Sequence, residues 1–250
     1  MPEHLFDDRT QLHYIVWHKD PTLERFIEQI VEEVKPTCWV ETGSHMGWTS
    51  MWMARRFPNL QIYTVEVDPG FYAKSKDNLA QFPNVVVEHD TSPKFLERLL
   101  PKISDGKPMF WLDAHWWPPV PLRDECKLVS SLPRYVALLD DFSCWEPDFS
   151  GDTFYSIAPS RGDAYLNDVS YVCSSLGEQY YRPAWTPGPG AKGVGLFIKG
   201  VDYVPPPHMM KPEDMNGFIE SRGRSVARRK DELGFVSYPL HPSSGRIVGP

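Results

Sequence analysis

Between residues 38 and 139 the chain alternates five short apolar runs with segments of helical periodicity. Few folds tolerate that rhythm. The runs lie at 38–40, 62–67, 85–87, 109–112 and 135–139; the segments between them read as helices at about 48–57, 71–82, 93–103 and 122–132. A further helix precedes the first run. Asp20 is placed to cap it, Pro21 opens its first turn, Leu23, Phe26, Ile27, Ile30, Val31 and Val34 recur at helical spacing, and Pro36 ends it. Strands this short, separated by helices, imply right-handed βαβ units and a mostly parallel sheet buried on both faces. Residues 163–176 read as one more helix. Residues 180–185 and 194–198 read as a closing antiparallel hairpin, joined through Pro187, Gly188, Pro189 and Gly190. The expectation is a doubly wound, seven-stranded, Rossmann-like α/β sheet over 1–200, with a helical lead-in at 1–36 and a C-terminal extension at 201–250.

Composition narrows the function classes. At 250 residues the chain holds one large domain or two small ones, and 41% hydrophobic with 24% charged residues is ordinary globular usage. No apolar run approaches the roughly 20 residues of a membrane helix, and the first residues carry no basic-then-apolar signal. A net charge of −7 argues against a partner read through its phosphate backbone, so no nucleic acid is expected. Cys38, Cys126, Cys144 and Cys173 have no CxxC spacing, which excludes zinc ribbons and thioredoxin-type motifs. The expectation is a soluble cytoplasmic protein with free thiols. Of the 25 prolines, 18 lie after residue 100, so long ordered loops belong to the second half.

In an open α/β sheet, ligands bind beyond the carboxyl ends of the strands. Glu41-x-Gly43-x-x-x-Gly47 stands there, after the first strand, with Ser44 and His45 inside the loop. Gly43 permits a tight turn, and Gly47 lets backbone and helix approach a ligand. Glu66, 25 residues after Glu41 near the end of the second strand, can accept both hydroxyls of a ribose. The dinucleotide fingerprint differs: His45 stands where its middle glycine would be, and an acid precedes the turn. A carboxylate there repels a pyrophosphate and suits an ammonium or sulfonium. The alternative is a structural turn with two ordinary glycines.

At these residues the chain resembles the class I S-adenosylmethionine-dependent methyltransferases, most of all the metal-dependent catechol O-methyltransferase-like branch. The string Glu41-Thr42-Gly43-Ser44-His45-Met46-Gly47-Trp48-Thr49 is similar to that branch's E-x-G-x-x-x-G-[YW]-[ST]. Val65-Glu66-Val67-Asp68-Pro69 resembles its ribose-binding segment. His89-Asp90-Thr91-Ser92 is similar to its G-D-A-S turn, with His89 for glycine. Leu112-Asp113-Ala114-His115-Trp116 resembles its L-D-H-W with one residue inserted, and Leu139-Asp140-Asp141 its A-D-N. The resemblance, over about 38–200, implies that Glu41 and the 43–47 loop hold the methionine end of the cofactor, with Thr49 near its carboxylate. It implies Glu66 on the ribose, Asp90, Thr91 and Ser92 flanking the adenine, and Asp113, Asp140 and Asp141 on a divalent cation, Mg²⁺ first. The inserted Ala114 displaces His115 and Trp116 relative to the family, and Trp117 stands where a catalytic lysine is expected.

The residues themselves add to this. Asp113 and Asp140-Asp141 end two strands, and three converging carboxylates repel unless a cation neutralises them. Hard oxygen donors suit Mg²⁺, with Ca²⁺ or Mn²⁺ as substitutes. Two solvated strand-end caps are the alternative. His115, two residues past Asp113, is either the base that removes a hydroxyl proton or a histidine that stacks or packs. Trp116, Trp117, Pro118, Pro119 and Pro121, with Trp145, read as an aromatic wall for an acceptor. The basic stretch with Arg222, Arg224, Arg228, Arg229 and Lys230 is interleaved with acids and reads as a solvated face or a contact between copies. The expected function is O-methylation of a hydroxylated small molecule, with a homo-oligomer as a further option. The rivals are a nicotinamide-dependent oxidoreductase and a non-catalytic nucleoside-binding protein of the same fold.

Overall fold

The computed structural model describes residues 16–17, 20–114, 121–140, 175–176, 180–183, 194–205 and 209–210. Within them, α1 (Pro21–Val34), β1 (Cys38–Thr42), α2 (Trp48–Arg56), β2 (Gln61–Glu66), α3 (Pro69–Leu79), β3 (Val85–His89), α4 (Ser92–Ile103), β4 (Pro108–Leu112), α5 (Leu122–Ser130) and β5 (Tyr135–Leu139) follow in order. Then come β6 (Tyr180–Pro183), β7 (Gly195–Lys199) and β8 (Met209–Met210).

The helix ends follow from local chemistry. Asp20 accepts from the backbone N–H groups of Thr22 and Leu23 at the start of α1. Asp68 does the same for Gly70 and Phe71 in α3. The Asp68-Pro69-Gly70 string, read from sequence as the stop after the second strand, is therefore also a helix start. Asp68 caps and Pro69 takes the first turn, as Asp20 and Pro21 do in α1, so α3 begins two residues earlier than its apolar spacing suggests. At the end of α1, Lys35 adopts a left-handed conformation and returns its N–H to Val31.

The sheet order is β3-β2-β1-β4-β5-β7-β6-β8. The first five pair in parallel, and β7 runs antiparallel between β5 and β6. The seven expected strands are joined by an eighth, the two-residue Met209–Met210, which pairs with Arg182 and Pro183 of β6. A two-residue strand leaves no periodicity to read, so the expected count of seven is corrected to eight. The antiparallel closing pair stands where the sequence indicated; its connecting turn at 187–190 and all but the last two residues of the helix expected at 163–176 lie outside the described residues, as does the basic stretch after 211.

Strands β1, β4 and β5 are buried along their whole length, as expected of strands covered on both faces. One face carries Phe95, Leu96 and Leu99 of α4 and Cys126 and Val129 of α5. The other carries the apolar stripe of α1 together with Trp52 and Met53 of α2. On that second face Trp17 meets three tryptophans edge-on, Trp111 at 5.0 Å, Trp52 at 5.3 Å and Trp39 at 6.0 Å between ring centroids. Cys38 and Cys126 are free and buried. No described helix is long and apolar enough to cross a membrane.

Candidate cofactor site

Because β1 lies between β2 and β4, the segments that leave these three strands emerge side by side. The loop after β1 is fixed first. The N–H groups of Gly43 and Ser44 both donate to the Val65 carbonyl of β2, and that of Gly47 to the Ser44 carbonyl. Helix α3 braces it from beneath: Ser75 meets the Ser44 hydroxyl, Asn78 donates to the Met46 carbonyl, and Leu79 packs under Gly47. Gly43, His45 and Gly47 all have positive φ, at 81°, 48° and 78°. The imidazole of His45 therefore sits on a backbone that favours glycine, and its ring lies 4.1 Å from that of Phe71.

Glu41 and Glu66 are both buried but differently held. Glu41 faces Thr64 in the β1–β2 register, and its Oε2 accepts the hydroxyls of Thr64 and Ser50, each at 2.6 Å. Burial pushes its carboxyl up to about 7, against the lowering effect of those hydroxyls. Among the described residues no cation pairs with it. Glu66 instead sits in a ring of backbone donors: His45 N–H to Oε2 at 2.6 Å, and Val67 and Asp68 N–H to Oε1 at 2.9 Å each. A carboxylate offers about four lone-pair sites. Three are filled by the backbone, so the open one lies on Oε2, beside the loop.

Beyond Glu66, the Asp90 N–H donates to the Glu66 carbonyl, joining the ends of β3 and β2. Asp90 Oδ1 accepts the Thr91 N–H, and Oδ2 accepts from Arg98 at 2.6 Å; the Arg98 guanidinium first, then the Thr91 N–H, hold its carboxyl below the usual range. Ser92, buried at the start of α4, has a hydroxyl with no hydrogen-bond partner. His89, in the place of the expected glycine, stacks on Tyr72 at 4.8 Å and reaches the Val67 carbonyl. Val67 itself is 52% exposed between the Glu66 and Asp90 turns.

On the other flank, the Asp113 N–H is shared between the carbonyl and hydroxyl oxygens of Thr42, and its Oδ2 accepts the indole N–H of Trp111. The Asp140 N–H donates to the Leu112 carbonyl, and the β4–β5 register ends at Leu112 opposite Leu139. Asp113 and Asp140 thus follow in step on adjacent strands, about 4.8 Å apart in the pairing direction. Among the described residues no group of three metal-ligating side chains is close enough to hold an ion. Asp141 and His115 lie outside them.

Glu41, Gly43, Ser44, His45, Gly47, Thr49, Glu66, Asp90, Thr91, Ser92, Asp113 and Asp140 therefore all stand at the carboxyl edge of one sheet. A hollow between α4 and α5, bordered by Leu100, Pro101, Leu128 and Leu132, lies at the opposite edge, where those helices turn back into β4 and β5. Arg98 and Phe71 were not singled out in the sequence, and Val67 only as a member of the Glu66 segment; Arg98 carried no signal.

Compared with solved structures, the chain superposes on an O-methyltransferase of Bacillus cereus, in complex with SAH, with a TM-score of 0.54 at 14% identity, over 78% of this chain and 93% of that one. It matches a candidate caffeoyl-CoA O-methyltransferase of Staphylococcus aureus with a TM-score of 0.53 at 17% identity, over 73% and 87%. A candidate O-methyltransferase of Klebsiella pneumoniae gives 0.52 at 18%, over 72% and 81%. The fold is that of the O-methyltransferases. No protein-family model matches the sequence, and no curated protein does. In the O-methyltransferase fold of this chain, the turns after β1, β2 and β3 carry the residues picked out from the sequence.

Proposed function

We propose that the chain is an S-adenosylmethionine-dependent O-methyltransferase for a hydroxylated small molecule, in which a divalent cation assists. The observation that carries the reading is the pair of buried acids on adjacent strands, Glu41 and Glu66, on either side of the 43–47 loop. Glu66, fixed by three N–H groups with one lone pair open, suits a ribose hydroxyl. Glu41, buried with only hydroxyl partners and a carboxyl raised to about 7, suits a ligand that brings a positive group. The α-ammonium of S-adenosylmethionine is such a group, whereas a pyrophosphate would be repelled. The loop leads straight into the N-terminus of α2, whose cap residue Gly47 makes no side-chain hydrogen bond, and a helix N-terminus favours an anion such as the cofactor carboxylate near Thr49.

Methyl transfer from a sulfonium needs alignment more than covalent help. In this reading the loop and Glu66 hold the donor, Asp113 closes its flank, and His115 takes the acceptor proton. Asp113 and Asp140, with Asp141, are donors of the hard-oxygen type that Mg²⁺ takes, and adjacent carboxylates of like charge fit a cation between them. Such an ion would lower the pKa of the acceptor hydroxyl.

Calorimetry with S-adenosylhomocysteine tests the cofactor. Saturable binding is expected; none at millimolar ligand overturns the reading. Transfer of labelled methyl to a hydroxylated acceptor separates an enzyme from a silent binder. EDTA is expected to abolish that transfer and Mg²⁺ to restore it, and indifference to EDTA removes the cation alone.

A further inference from the structure

Arg98 joins two carboxylates at the end of one strand. From α4 its Nη1 donates to Asp90 at 2.6 Å and its Nη2 to Glu88 at 2.7 Å. Glu88 and Asp90 are two residues apart, so they lie on the same side of the chain at the end of β3. Without a cation between them they repel. The arginine is half exposed, and an ion pair of that kind adds little to the stability of a fold. Its consequence is geometric: one Asp90 oxygen is pinned by the Thr91 N–H and the other by Arg98, so the carboxylate cannot rotate and stays ionised.

The place of that carboxylate gives the pinning a use. With a ribose on Glu66 and its 5′ substituent over the 43–47 loop, the base lies on the side away from β1, toward β3. There it meets exposed Val67 and the partly exposed carboxylate of Asp90. A fixed, acceptor-only carboxylate takes an exocyclic amino group and opposes a carbonyl oxygen. We propose that Arg98 is a positioning residue that sets base selectivity: by bridging Asp90 and Glu88 it holds Asp90 as the acceptor for the amino group of a 6-aminopurine. The inference rests on reading the site as a nucleoside site.

The test is calorimetry with S-adenosylhomocysteine and its 6-oxo analogue, S-inosylhomocysteine, on the wild type, Arg98→Ala and Arg98→Lys, with melting curves for each. The wild type is expected to prefer the amino compound roughly 10–100-fold, the range for a hydrogen bond to a charged group. Arg98→Ala should reduce that preference to about threefold or less by weakening the amino compound alone, with the melting temperature unchanged. Arg98→Lys, which can reach one carboxylate at a time, should restore part of it. An unchanged preference in Arg98→Ala, or an equal loss for both compounds, overturns the role of Arg98 while leaving the nucleoside site standing. Failure of the wild type to bind either compound overturns both.

Discussion

Gly43 lies directly against Asp113: a Cβ at position 43 would come within 2.6 Å of the Asp113 carbonyl oxygen. The obstacle is backbone of the adjacent strand end, which cannot rotate aside, and Gly43 also has a φ of 81°. The loop after β1 and the exit from β4 are therefore one packed unit. Gly43→Ala is expected to cost roughly 1–3 kcal/mol, the scale of a residue forced into left-handed backbone, with further loss from the clash. Melting curves should shift down, and S-adenosylhomocysteine binding should weaken together with stability. A variant with wild-type melting and binding would contradict this packing.

Glu41 makes stability and binding depend on pH in a definite direction. Burial raises its carboxyl from 4.5 to about 7, so the fold favours the protonated form. That contribution is present in full below about 4.5 and is lost as pH rises through about 7. Relative to Glu41→Gln, which does not titrate, the wild type should therefore lose stability between pH 4.5 and 7 and change no further above it. Denaturant titrations at several pH values measure this. A bound ammonium favours the ionised acid, so binding below pH 7 should release a proton. The binding enthalpy at pH 6 should then vary with the ionisation enthalpy of the buffer, and that variation should vanish in Glu41→Gln.

Glu66→Gln removes one acceptor oxygen from a place where His45, Val67 and Asp68 all donate. At least one backbone N–H then faces an amide N–H, at a cost of about 1–3 kcal/mol for a buried unsatisfied donor. Both melting temperature and nucleoside affinity should fall. A variant that loses affinity at full stability would show that the carboxylate serves the ligand and not the loop.

Trp17→Ala should lower stability by roughly 3–5 kcal/mol, the cost of emptying a large aromatic site, because it removes three edge-on contacts at once. Trp17→Phe keeps part of them and should fall between. Denaturant midpoints give the order, and near-ultraviolet circular dichroism should lose intensity in the same order.

The described part of the fold was legible where local chemistry is decisive. Asp20 and Pro21 wrote the start of α1 and Pro36 its end, and the apolar runs gave five parallel strands in sequence order. Glu41, Gly43, Gly47 and Glu66 could be picked out because their residue types are unusual at strand ends. Pairings between distant side chains were not legible. Nothing near Arg98 indicates that it faces Asp90 and Glu88, because that contact depends on how α4 docks on the end of β3. Even the left-handed backbone of His45 was hidden, since histidine carries no mark of it.

The place of β1 in the middle of the sheet also bears on how the protein is made. Residues 38–98 contain everything on the Glu66 side of the site, so that half can assemble as soon as it has been synthesised. The other edge of β1 has no neighbour until residue 112 leaves the ribosome, because β4 is its partner there. Until then the nascent chain presents the unpaired edge of a strand that is wholly buried in the finished protein, the kind of edge that recruits a wrong partner. Between the emergence of residue 66 and that of residue 112, the free edge of β1 is the kind of surface that a chaperone shields.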